Sequence, residues 1–102
     1  MIEVLDLAAL GQGLPVDTDH AITAKAAGPV LIIRLAPGEY PTESHKGRIE
    51  TITALTGRFS IEAAGGRWDV AQGQCCRIPP GLEHRWGADS EAVVLVHFAE
   101  AE

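Results

Sequence analysis

Short apolar runs broken by glycine and proline recur along the chain, with turns about every eight to twelve residues. That rhythm suits short strands better than long helices. Residues 2–7 read as a first strand leading into a short helix over Ala8-Ala9-Leu10, which Gly11-Gln12-Gly13 ends. Residues 20–26 and 30–36 follow. The second of these carries Val30-Leu31-Ile32-Ile33, apolar enough to be covered on both faces. Pro37-Gly38 turns the chain. Residues 49–55, 58–63 and 67–70 come next, divided by Thr56-Gly57 and Gly65-Gly66, each a hairpin signal. Residues 75–78, 84–86 and 92–98 complete the set. The series predicts an all-β antiparallel sandwich or barrel, and with no repeat, linker or low-complexity tract residues 1–102 make one domain.

Composition narrows the partners. A hydrophobic share of 46% in 102 residues suffices for a small core, and Gly 11 and Pro 6 suit a fold rich in turns. The net charge of −6, with Lys+Arg 8 and no basic run, argues against nucleic acid as a partner. Met1-Ile2-Glu3-Val4-Leu5-Asp6 lacks the basic and long apolar regions of a signal peptide, and no apolar run is long enough to span a membrane. A cytoplasmic protein is expected. Cys75 and Cys76 are adjacent, so in a strand they point to opposite faces and a bond between them would be strained. One buried and one surface thiol in a reducing compartment is the simpler reading than a redox pair.

Most of the chemistry lies in two segments. Gly73-Gln74-Cys75-Cys76-Arg77-Ile78-Pro79-Pro80-Gly81-Leu82-Glu83-His84 reads as a strand, a rigid turn and a histidine held just beyond it. Pro79 and Pro80 fix φ and Gly81 accepts a positive one, so the chain reverses there. The spacing resembles the second cupin motif: glycine, five residues, proline, any residue, glycine, two residues, histidine. Ala88 stands where that motif sometimes has asparagine. Upstream, Gly38-Glu39-Tyr40-Pro41-Thr42-Glu43-Ser44-His45-Lys46-Gly47-Arg48-Ile49-Glu50, running on to Gly57, resembles the first cupin motif. His45, Glu50 and Gly57 match its second histidine, its glutamate and its closing glycine. Glu43 stands in place of the first histidine.

The resemblance implies an antiparallel double-stranded β-helix, a jelly-roll barrel, with metal and substrate in the barrel mouth. His45, Glu50 and His84 would form a two-histidine, one-carboxylate set for a divalent metal ion (Fe, Mn, Ni or Zn). His45 and Glu50 are five apart and would fall on opposite faces of a straight strand, so they converge only if Lys46-Gly47 bends the chain. Glu43 is a fourth ligand, a catalytic base or a surface-loop carboxylate. Tyr40, Trp86, His97 and Arg34 are candidates for the substrate pocket. Tyr40 would donate to a ligand from behind, and Trp86 would line the mouth. His97 also reads as a core or interface histidine, and Arg34 as half of a structural ion pair with a glutamate across the sheet. His20 reads as a surface residue. Similar small cupins are often homodimers, and Val93-Val94-Leu95-Val96 would suit an interface because both its faces need cover. The resemblance implies a metal-dependent enzyme of dioxygenase, isomerase or lyase type acting on a small molecule. The competing reading is a non-catalytic ligand-binding or sensor barrel with a structural metal or none.

Overall fold

Asp6 decides how the chain begins. Its carboxylate accepts a hydrogen bond from the Ala9 N–H at 3.1 Å and caps a short helix, α1 (Leu7–Gln12). The computed structural model describes residues 2–22 and 30–100. Residues 2–6 form no strand, contrary to the reading of 2–7, and leave Ile2 and Val4 91% and 92% exposed. The cap commits Leu7 to the helix, which removes the end of that strand. No described helix is long and apolar enough to cross a membrane.

Seven strands follow among the described residues: β1 (His20–Ala21), β2 (Val30–Leu35), β3 (Arg48–Ala63), β4 (Gly66–Ala71), β5 (Cys75–Ile78), β6 (Arg85–Trp86) and β7 (Glu91–Glu100). The predicted strand at 20–26 is seen at its start, and residues 23–29 lie outside the described residues. All strand pairings are antiparallel, in the order β1-β2-β7-β3-β4, with β5 and β6 also on β3. The jelly-roll class expected from the sequence is the class observed.

β3 organises the molecule. Its first half lies between β7 and β5, with Glu50 opposite Phe98 on one side and Ile78 on the other. Its second half pairs with β4 and β6, Ile61 lying opposite Trp68 and Trp86. The predicted hairpin at Thr56-Gly57 is instead a bulge within this one strand. Ala54 pairs with Val94 and Thr56 with Val93, so Leu55 is the extra residue. Gly57 takes φ 68°, and a Cβ there would collide with the Glu91 carbonyl oxygen. Positive φ served a bulge here, whereas Ala64-Gly65 makes the real turn into β4.

The core lies on the inner faces of these strands: Ile33, Leu35, Ile52, Ala54, Phe59, Ile61, Val94 and Val96 are all buried. Each of these side chains larger than alanine contributes roughly 1.5–3 kcal/mol relative to exposure. α1 covers the other face of β7, where Val93 is fully buried against Gly11, whose lack of a Cβ permits the contact. Val93, Val94 and Val96 are therefore covered within one chain and do not by themselves call for a second copy.

Candidate metal centre

Two loops are stitched together to make the site. Lys46-Gly47 forms the expected bend, with Gly47 at φ 70°. The Pro79-Pro80-Gly81 corner puts Gly81 at φ 76°, and the Gly81 N–H donates to the His45 carbonyl at 2.9 Å. Glu43 and His84 exchange backbone hydrogen bonds at 2.8 and 2.9 Å. The two motif segments therefore meet through their backbones before any side chain is considered.

Side chains converge on that seam. His84 is 3% exposed, and its Nδ1 lies 2.8 Å from the Leu82 carbonyl oxygen. A carbonyl only accepts, so Nδ1 carries the proton and Nε2 faces inward. There Nε2 lies 3.0 Å from Glu50 Oε1, which is itself buried at the start of β3. His45 Nε2 is 3.7 Å from the same oxygen, and Glu43 Oε1 is 4.0 Å from His84 Nε2. The donor atoms of Glu43, His45 and His84 all lie within 4.8 Å of one another. Phe98 meets the His45 ring edge-on at 4.8 Å between centroids, and the two imidazoles are 5.8 Å apart.

Glu50 Oε1 and His84 Nε2 are both buried without a hydrogen-bond partner among the described residues, although they face each other. With the proton on Nδ1, a neutral imidazole presents a lone pair to a carboxylate lone pair. That contact is repulsive unless a positive charge sits there, as a proton on His84 or as a metal ion. Donors about 2.1 Å from a common ion lie roughly 3 Å apart at adjacent positions, so the spacing suits coordination. Two imidazoles with one or two carboxylates match the borderline to hard divalent ions. The residues present fit the metal that the fold implies.

The charges bend the titrations accordingly. Burial pulls the His84 pKa down, but the Glu50 carboxylate, the Leu82 carbonyl and the charge of Glu43 outweigh it and hold it above the ordinary value. Glu43 is also raised, chiefly by burial and then by the charge of Glu50, against the two histidines. Its side chain remains 44% exposed.

The cupin domain family model matches residues 31–98, which include both loops and every donor. This chain belongs to the cupin family. Solved cupin-fold structures agree. A cupin-2 domain protein from Shewanella frigidimarina superposes with a TM-score of 0.77 at 16% identity, over 91% of this chain and 89% of that one. A Thermus thermophilus protein reaches 0.75 at 22% identity, over 97% and 98%. One from Thermotoga maritima, described as a predicted oxalate decarboxylase, reaches 0.69 at 18% identity over 81% and 79%. No curated protein matches the sequence at a significant level.

The other candidate residues of this cupin lie elsewhere. Tyr40 ties down its own loop: its hydroxyl accepts from the Ala36 N–H at 3.1 Å and donates to the Ala36 carbonyl. Trp86 is buried, edge-on to Phe59 at 5.5 Å. His97 is exposed on β7, between Val30 and Thr51. Arg34 donates from Nη1 to the Leu14 carbonyl at 3.3 Å and lines a cleft with Gln12, Arg58 and Glu91, none of them a donor residue. Neither cysteine is bonded. Cys75 is exposed, while Cys76 is half-buried and pushed up to about 11 by burial and the charge of Glu50. Reading the residues in sequence missed the Leu82 carbonyl and Phe98 as the groups that orient the two histidines. The Pro-Pro-Gly corner carried a trace of the first, since it fixes the backbone immediately before His84.

Proposed function

We propose that this cupin binds one divalent metal ion through His45, Glu50 and His84 and acts on a small molecule by proton transfer. One observation carries the reading: Glu50 and His84 face each other, buried and unsatisfied, at 3.0 Å. The bound ion would supply Lewis-acid polarisation of a substrate oxygen. The residues of the chain supply the rest. Leu82 fixes the tautomer of His84, Phe98 holds the plane of His45, and Glu50 neutralises charge from below. Glu43 is half-exposed at the edge of the site with its pKa raised, which supports the reading that its carboxylate takes a proton from a substrate carbon and returns it. That role favours isomerase or lyase chemistry over oxygen-dependent chemistry, which would leave Glu43 without a task. The fold shared with a predicted oxalate decarboxylase is compatible with a lyase and adds nothing about substrate.

A second reading has its own observation. The raised pKa of His84 allows the imidazole to hold the balancing proton itself, giving a metal-free binding barrel. Elemental mass spectrometry of protein purified without chelator or metal-binding tag separates the two. Near-stoichiometric metal, lost in His84→Ala and His45→Ala, is the expected result. A protein that carries none and refuses added metal belongs to the second reading. Glu43→Ala is expected to keep its metal, and loss would reassign Glu43 as a ligand.

A further inference from the structure

Resting on the metal-centre reading, we propose that the cleft between β4 and β5 receives a hydrocarbon arm of the ligand. The ligand class is then an oxygen chelator with an apolar ring or short chain, rather than a wholly polar molecule such as a sugar. β4 pairs with residues 58–63 of β3 and β5 with residues 50–53, so the sheet parts between them. The gap is a cleft of about 310 Å³ lined by Ile61, Ala63, Trp68, Ile78, Pro79 and Leu82, with exposed Arg77 at its rim. An apolar cavity of about 150 Å³ suffices for benzene, so a ring or a short chain has room here.

Trp68 shapes this cleft. It lies on the same face of β4 as buried Val70, yet it is 53% exposed. Its ring lies along its own strand over Gly66, where even a methyl group would sit 3.0 Å from Cη2. Glycine at that position lets the indole form a flat wall. A large aromatic left half-open beside a buried apolar floor is a surface that gains from being covered.

The cleft adjoins the segments that carry the donors, although no donor lines it. Ile78 is the register partner of Glu50, and both are buried. The Leu82 carbonyl holds His84. Ala63 lines an adjoining groove together with His84. A ligand whose oxygens reach the metal between His45, Glu50 and His84 would extend its other end toward this apolar wall, beside the Ile78 that pairs with Glu50. The pattern matches sites in which a few polar groups orient a ligand and an apolar lining supplies most of the contact.

The test uses the full chain loaded with cobalt(II), whose visible bands report a change in ligands, titrated with acetohydroxamate, butyrohydroxamate, hexanohydroxamate and benzohydroxamate. Affinity should rise about threefold to fourfold per added methylene until the cleft is filled. Trp68→Ala should bind cobalt and acetohydroxamate like the parent and lose most of the gain from the longer chains. Equal affinity across the series, or an equal loss for all four probes in Trp68→Ala, would overturn the proposal. A protein that binds no cobalt instead defeats the metal-centre reading. The cleft is then tested alone, by Trp68 emission on adding hexanoate against acetate, with Trp68→Phe as the blank. No length-dependent change there would also overturn it.

Discussion

Glu50 and His84 place two acceptors 3.0 Å apart inside the protein, so the identity of one atom decides whether the site needs a cation. Glu50→Gln puts an amide in nearly the same volume, and its N–H can donate to His84 Nε2. At a pH above the folded pKa of His84, where the imidazole is neutral, the variant should be about 1–2 kcal/mol more stable than the parent without metal, and it should lose most of its metal affinity. Thermal melts with chelator and with added zinc check both halves; a variant that still gains stability from zinc would remove Glu50 from the ligand set. Cys76 offers a second test at this scale. A pKa moved from 9.0 to about 11 leaves it about a hundredfold less thiolate than an unshifted cysteine at neutral pH. Iodoacetamide should therefore mark exposed Cys75 well before Cys76, as read by peptide mass mapping. The candidate donors were legible in the sequence because backbone chemistry announced them: proline and glycine before His84, and a glycine bend between His45 and Glu50. The orientation of each ring was not legible, since the Leu82 carbonyl and Phe98 act through space rather than spacing.

Elements were read well where a local signal had one meaning and poorly where it had two. Thr56-Gly57 looks like a hairpin turn, and a glycine at positive φ serves a turn and a bulge equally. Only the position of β7, which keeps β3 extended beside it from Arg48 to Arg58, selects the bulge. Residues 2–7 carried a strand pattern, and a single capping carboxylate at Asp6 turned their end into a helix. The bulge gives a direct test. Gly57→Ala adds a strained φ and a collision with the Glu91 carbonyl, so it should cost about 2–4 kcal/mol in urea unfolding. Because the strain sits where β3 crosses from one partner set to the other, the loss should come with faster unfolding. A cost under about 0.5 kcal/mol would mean that the bulge relocates freely, and that the register carrying Glu50 is not fixed by it.

For the whole molecule, the centre couples folding to pH, and the sign depends on what fills the gap. In metal-free protein the His84 pKa is raised above its ordinary 6.5, so the native state holds that proton more tightly than the unfolded chain. The resulting stability is fully present below about 6.5 and is lost as pH rises through the folded pKa. Glu43, raised from 4.5 mainly by burial, pushes the same way in a more acidic window. Metal reverses the slope. The ion takes the place of the proton on Nε2, so binding strengthens as the imidazoles deprotonate, and the stability it adds grows with the ratio of free metal to its dissociation constant. Melting temperatures taken from pH 6 to 8.5 should therefore fall with chelator present and hold or rise with excess zinc, the two curves diverging toward alkaline pH. His84→Ala should bring them together, because it removes both the proton site and the ligand. Curves that fall in parallel in the parent protein would mean that zinc does not compete for that nitrogen. The cation facing Glu50 would then be the imidazolium of His84.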